Sequence, residues 1–273
     1  GPPFAPSPWP RRSSSSDPVT AVSAGSTEPG RPRMTSPLYR DTGVVLRTYK
    51  LGEADRIVVL LTEQHGKVRA VAKGVRKTMS KFGARLEPLS HVRLLMYQGR
   101  ELDIVSQADS VDTLAPLVGD LDHLTNGLAI VEAVDQMTLD REPVPHLYRM
   151  LVGALRTVAE RSGPLVVPAF YWKLLASEGV RPELDECVRC GATEPLVAFD
   201  VTEGGVLCRS CRTGASISPD ALDVTRMILG GRLNEALDLP AGPVTHEVAA
   251  HANRALEHHL ERRLRTVAMF ESH

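Results

Sequence analysis

The sequence predicts an α+β protein: a small closed β-barrel, then an α-helical unit that carries an inserted four-cysteine metal-binding segment. Three observations carry this. Five short β-branched runs separated by turn residues occupy residues 42–109. From residue 113 onward apolar residues recur every three or four positions, the period of amphipathic helices. Within that half, Cys187, Cys190, Cys208 and Cys211 form C-x2-C-x17-C-x2-C.

With 273 residues, 42% of them hydrophobic, the chain is long enough for two cored domains. Charged residues make up 24%, and no run approaches the ~18 apolar residues of a membrane helix, so a soluble, cytoplasmic protein is expected. Residues 1–35 are rich in Pro, Ser and Arg, include the run Ser13 to Ser16 and lack apolar periodicity, so they are expected to be a disordered N-terminal extension. The Gly1-Pro2 start resembles the scar of a cleaved expression tag, and Met34 reads as the natural initiator.

The barrel is expected over residues 36–112. Its strands are predicted at Thr42 to Tyr49, Arg56 to Thr62, Lys67 to Lys73, Val92 to Gln98 and Leu102 to Asp109. Turns are predicted at Leu51-Gly52-Glu53, His65-Gly66 and Gln98-Gly99-Arg100. Closure removes edge strands that would otherwise template aggregation. In the third strand Val68, Ala70 and Ala72 alternate with Lys67, Arg69, Val71 and Lys73, so one face is apolar and the other largely basic.

The helical unit is expected over residues 113–273. One stripe runs through Leu121, Leu124, Leu128, Val131 and Val134, a second through Leu147, Leu151, Leu155 and Val158, and a third through Ala169, Trp172, Leu175 and Ala176. Ser218-Pro219 is a cap and first-turn pair for a helix that runs toward Gly230. The last stripe, Val248, Ala252, Leu256, Leu260, Leu264 and Val267, places His251, Arg254, His258, Glu261 and Arg265 on the opposite, outward side.

The insertion spans residues 183–214. Two residues between paired cysteines let both thiolates reach one ion from a tight turn, and four thiolates close a tetrahedral zinc shell. One structural Zn2+ is therefore expected at Cys187, Cys190, Cys208 and Cys211, with Arg189, Arg209 and Arg212 offsetting its negative charge.

Net charge is −1, yet it is unevenly distributed: residues 34–112 carry 13 basic and 9 acidic side chains, residues 113–273 carry 15 and 22. Lys67, Arg69, Lys73, Arg76, Lys77, Lys81 and Arg85 lie between Gln64 and Leu86 with no Asp or Glu among them. Such a stripe suits a phosphate backbone, and its binding is salt-sensitive and indifferent to sequence. Gly74 to Gly83 reads as a loop that carries part of this charge, with Phe82 beside it as a stacking surface. Enzyme signatures are missing. No phosphate loop, nucleophile elbow or dinucleotide turn occurs, and His246 and His251 are five apart where a metalloprotease helix needs four. A non-enzyme without a nucleotide cofactor is expected.

The stretches Asp55-Arg56-Ile57-Val58-Val59-Leu60-Leu61-Thr62-Glu63-Gln64-His65-Gly66-Lys67, Ala70-Val71-Ala72-Lys73-Gly74-Val75-Arg76-Lys77 and Phe82-Gly83-Ala84-Arg85-Leu86-Glu87-Pro88 resemble the bacterial RecO family of DNA repair proteins. The resemblance implies that the barrel is an OB-fold and that the helical domain carries the zinc-binding insertion. It also implies a recombination mediator of the RecF pathway that binds single- and double-stranded DNA and anneals complementary strands, including those coated by single-stranded DNA-binding protein (SSB). With RecR as partner such a protein helps load RecA, hydrolyses nothing and works at the nucleoid. Carried over by position, Arg56, Lys67, Arg69, Lys73, Arg76, Lys77, Lys81 and Arg85 become the DNA-contact candidates. The rival reading is a zinc-stabilised scaffold that acts through protein partners without touching DNA.

Overall fold

Strand β1 (Leu38–Leu51) opens the fold and is longer than its β-branched run, because its two ends pair with different neighbours. The computed structural model describes residues 37–76, 80, 82, 84–111, 117, 119–261 and 264. The expected N-terminal extension lies outside them, as do Lys77 and Lys81. The remaining strands are β2 (Asp55–Thr62), β3 (Gly66–Ala72), β4 (His91–Tyr97) and β5 (Asp103–Ser110), each within a few residues of its predicted run.

They close into a barrel in the order β1-β2-β3-β5-β4, antiparallel throughout except for the β3–β5 pair. That is the five-stranded Greek-key arrangement of an OB-fold. Val45, Val58, Leu60, Ala70, Ala72, Val92, Leu94, Met96 and Val105 fill the interior. Phe82 belongs to the same cluster, 1% exposed, and so plugs the barrel where the sequence reading placed it beside the charges as a stacking surface. The correction has a simple cause: a ring next to basic residues gains more from burial in an unfilled barrel end than from solvent.

Six helices are complete among the described residues: α1 (Leu121–Met137), α2 (Pro145–Glu160), α3 (Val166–Ser177), α4 (Pro219–Leu229), α5 (Leu233–Leu237) and α6 (Pro243–Leu260). Asp120 caps α1 by accepting from the backbone N–H of Asp122 and His123, at 2.9 and 3.0 Å. Ser218 caps α4 with Pro219 in its first turn, as the dipeptide predicts. None of the described helices is long and apolar enough to cross a membrane.

From residue 37 onward the described residues pack as one unit. The outward-pointing Val44, Leu46, Val59 and Leu61 of the barrel share a buried cluster with Ala129, Ile130 and Ala133 of α1. Polar ties reinforce that seam. His91 Nε2 and Tyr148 Oη share a hydrogen bond of 2.8 Å, and Arg141 Nη2 lies 2.7 Å from the buried Asp103 Oδ1. Asp103 also takes the Tyr39 hydroxyl. Gly66 permits the close approach: its φ is +66°, and a Cβ there would sit 1.9 Å from the Glu142 carbonyl oxygen.

Between α3 and α4 a three-stranded sheet, β6 (Leu196–Asp200), β7 (Gly205–Cys208) and β8 (Ala215–Ser216), lies in the order β7-β6-β8. Phe199 of β6 packs edge-on against Trp172 of α3 at 5.6 Å and against His251 of α6 at 5.5 Å between ring centroids. His251 is therefore 3% exposed, where the helical stripe placed it outward. The inserted sheet covers a flank of α6 that periodicity alone assigns to solvent. Its Nε2 meets the Ser216 carbonyl oxygen at 3.1 Å.

Burial pushes the His251 imidazole below its ordinary value. The unfolded chain then takes up the proton first, so the stability this residue contributes is full above about pH 6.5 and is lost as pH falls through the lower folded-state value. Melting temperatures recorded from about pH 7.5 down to about pH 5 are expected to fall more steeply for the wild type than for His251→Gln. Parallel curves would contradict this.

Candidate nucleic-acid interface and metal centre

Alternation in β3 sends Val68, Ala70 and Ala72 inward and leaves Arg69 exposed and Val71 half-buried on the outer wall. Lys73 follows in the turn after β3, also exposed. Arg76 is exposed too; its backbone N–H donates to the Ala54 carbonyl at 3.0 Å and its Nη1 to the Gly52 carbonyl at 3.3 Å. The β3 end is thereby pinned to the β1–β2 turn, and Lys73 and Arg76 stay on that side. Asp55 Oδ1 accepts the Gly74 N–H at 2.7 Å, which fixes the turn between them. Arg85 is exposed. Lys77 and Lys81 fall outside the described residues.

Two candidates differ from their sequence reading. Lys67 is 8% exposed and lies on the wall that meets α1. Its Nζ donates to the Asp135 carbonyl at 2.8 Å and lies 3.4 Å from Asp135 Oδ1, with Asp140 Oδ1 at 3.9 Å. A buried ammonium already neutralised by a carboxylate presents no charge to a polymer, so Lys67 is a tie between barrel and helices. Arg56 is half-buried, and its Nη1 pairs with Glu87 Oε1 at 2.5 Å, so its charge is compensated locally.

Asp135 is the residue that sequence reading missed. It sits on the inner side of α1, 6% exposed, and its Oδ2 also holds Arg47 Nε at 2.6 Å. Asp135 closing the run Ile130-Val131-Glu132-Ala133-Val134, four residues after Val131 of the apolar stripe, was the available signal, because an acid on an apolar stripe needs a cation from elsewhere. Of the barrel's aromatic rings, Tyr49 and Tyr97 are exposed, at 40% and 44%.

The four cysteines converge. Their sulfur atoms all lie within 4.8 Å of one another, and Cys190 Sγ is 3.7 Å from Cys208 Sγ. Thiolates held ~2.3 Å from one tetrahedral ion are ~3.8 Å apart, so this donor set fits a zinc-type centre. The first pair sits on a knuckle: Gly191, φ +71°, donates its N–H to the Cys187 carbonyl at 2.8 Å, a left-handed position that glycine takes without strain. The second pair begins at the last residue of β7, with the Cys211 N–H reaching the Cys208 carbonyl at 3.2 Å. Backbone N–H donors, foremost that of Cys208, lower the Cys187 thiol to about 6. Contact with the Cys190 and Cys208 thiols pushes Cys211 up to about 12. Cys187, Cys190, Cys208 and Cys211 would hold a metal as thiolates, and binding would replace their protons. Arg189 is held by Glu203 Oε1 at 2.8 Å and donates to the Cys211 carbonyl at 3.4 Å, so it clamps the second knuckle as well as adding positive charge.

Comparison with known families matches both halves of the chain. A family model described as recombination protein O N terminal covers residues 34–114, and one described as recombination protein O C terminal covers residues 118–268.

Proposed function

Because the chain belongs to the RecO family of DNA repair and recombination proteins, we propose that it is a recombination mediator that binds single- and double-stranded DNA and anneals complementary strands. The observation that carries this reading is the exposed cationic border of the barrel: Arg69, Lys73, Arg76 and Arg85. Lys77 and Lys81, from the same acid-free stretch, extend the set in sequence.

Annealing asks for no reacting side chain. Two strands repel through their phosphates, and a surface that neutralises them while leaving bases free raises the encounter rate without an energy source. The protein therefore acts without hydrolysis or a nucleotide cofactor. SSB-coated strands are the substrate in this reading, with RecR the partner that directs RecA loading at the nucleoid. Cys187, Cys190, Cys208 and Cys211 hold one structural Zn2+, which supplies local folding energy and no chemistry, since four thiolates leave no open position.

The test is the annealing rate of complementary oligonucleotides coated with cognate SSB, without ATP. Acceleration that fades with added salt is expected. No acceleration by folded, zinc-loaded protein would turn the reading toward a scaffold that works through its partners. A second result locates the interface. Replacing Arg69, Lys73 and Arg76 together by Ala is expected to flatten the slope of log K against log salt by about 2 on single strands, at about 0.7 per phosphate contact. An unchanged slope would place the DNA elsewhere.

A further inference from the structure

The two cysteine pairs come from different segments of the insertion, and the backbone lays those segments side by side. The Val188 N–H donates to the Val206 carbonyl at 3.1 Å, and the Val206 N–H to the Glu183 carbonyl at 3.0 Å. Gly205 permits the close approach, since a Cβ there would lie 2.6 Å from the Glu183 carbonyl oxygen. Cys190 and Cys208 each stand two residues beyond the Val188–Val206 contact. Their sulfur atoms are 3.7 Å apart across the two knuckles.

The four sulfur donors differ in access. Cys187 and Cys208 are buried, Cys211 is half-buried and Cys190 is exposed. A thiolate is the form that both binds a metal and attacks an oxidant, and oxidation follows thiolate character and exposure, above all beside a second thiol that resolves the first product. Cys190 meets these conditions, with Cys208 as the neighbouring sulfur.

We infer that Cys190 is a peroxide-reactive site whose oxidation exchanges the metal for a Cys190–Cys208 cross-link between the knuckles. This rests on the structural zinc reading above and adds to it how the centre behaves toward an oxidant. The Cys190 thiolate attacks one oxygen of hydrogen peroxide; an S–O bond forms, the O–O bond breaks, and hydroxide leaves a sulfenic acid on Cys190. The Cys208 thiolate then attacks that sulfur; an S–S bond forms and the S–O bond breaks, which releases a second hydroxide. Two thiolates and one peroxide thus become one disulfide and two hydroxide ions, the sulfur pair giving up two electrons and the peroxide taking them. Closing 3.7 Å to the ~2.05 Å of a disulfide asks for about 1.7 Å of approach, which rotation of the exposed Cys190 side chain supplies. With two of four donors consumed, the closed shell is lost and the ion is released.

The choice of partner decides the consequence. A bond within either C-x2-C pair closes a loop of a few residues and leaves the knuckles free of one another. A Cys190–Cys208 bond spans 18 positions and restrains the chain more, because the constraint grows with the loop closed. It holds β7 to the first knuckle, so β6 keeps Phe199 against Trp172 and His251 without the ion. The insertion therefore outlasts an oxidant that strips its metal, in a protein whose family serves DNA repair.

The experiment treats the full, zinc-loaded chain with hydrogen peroxide at one equivalent per site. Zinc release is read with a chromogenic chelator, the linkages by mass spectrometry after alkylation of free thiols, and stability by melting curves. One zinc released per disulfide is expected, with Cys190 joined to Cys208, and with Cys187 and Cys211 alkylated. Dimedone, which captures sulfenic acids, is expected to label Cys190. The oxidised, metal-free protein is expected to melt above reduced protein stripped by a chelator, and reductant with added Zn2+ to restore the starting curve. Zinc retained through an excess of peroxide, bonds confined to the two C-x2-C pairs, dimedone on another cysteine, or an oxidised form that melts no higher than the stripped one overturns the proposal. A chain that binds no zinc at all overturns the metal reading above, while a Cys190–Cys208 bond formed in that metal-free chain still supports the pairing.

Discussion

Removing the metal from Cys187, Cys190, Cys208 and Cys211 is expected to unfold residues 183–216 and to lower the melting temperature of the whole unit. The sheet formed by β6, β7 and β8 has only short ladders, five residues at most in any strand, and the two knuckles are what tie its ends together. A two-stranded ribbon is marginal in water, and the third strand here, β8, adds only two residues. Phe199, however, sits between Trp172 and His251, so the loss of the sheet uncovers apolar surface on α3 and α6. Structural zinc contributes about 10–16 kcal/mol of apparent binding free energy in finger peptides. A third of that, about 4 kcal/mol, corresponds to a fall of about 8–16 °C for a domain of 150–250 residues. Chelation followed by calorimetry checks the prediction, with metal loss verified by elemental analysis. In a Trp9→Phe background the emission of Trp172, now 1% exposed, is expected to shift to the red. A melting curve indifferent to verified metal loss would refute a structural role.

Asp135→Ala is the second large effect. The substitution leaves the Lys67 ammonium, whose side chain is 10% exposed, without its main carboxylate, while the half-exposed Arg47 turns to water. Breaking a buried pair by removal of one partner costs about 3–5 kcal/mol, because the remaining charge is uncompensated. Asp140, 3.9 Å from Nζ and half-exposed, recovers only part of that. Urea titration at constant m-value reads the loss. Removal of the opposite partner behaves differently. In Lys67→Met, Arg47 still neutralises Asp135 and the thioether fills the space of the lysine stem, so a cost under about 1.5 kcal/mol is expected. The salt dependence of DNA binding should also stay as in the wild type, in contrast to the Arg69, Lys73 and Arg76 variant. A loss below about 1 kcal/mol for Asp135→Ala would mean that Lys67 finds water in its place.

Much of this architecture is legible in local pattern. The five strands, the helical stripes around Ile130, Leu151 and Trp172, the Ser218-Pro219 start of α4 and the cysteine spacing depend on neighbours a few residues away, or on two short pairs whose spacing suits one ion. Their periods are set by backbone geometry, which every chain shares. Even the division of β3 into an apolar and a basic face follows from the period of two.

What local pattern does not contain is which outward face meets another element. Lys67 and Arg69 occupy equivalent outward positions two residues apart, yet one is buried against Asp135 and the other stays exposed, because α1 covers only that end of the wall. His251 stands on the polar side of its helix and is buried because the cysteine sheet folds back over α6. Phe82 lies among cations and fills the barrel. The sequence by itself determined the elements, the four cysteines that meet and the supply of positive charge. Only the tertiary structure decided which charges face water and which side chains are covered, because burial and adjacency arise when separate elements pack, and no single element encodes its partner's position.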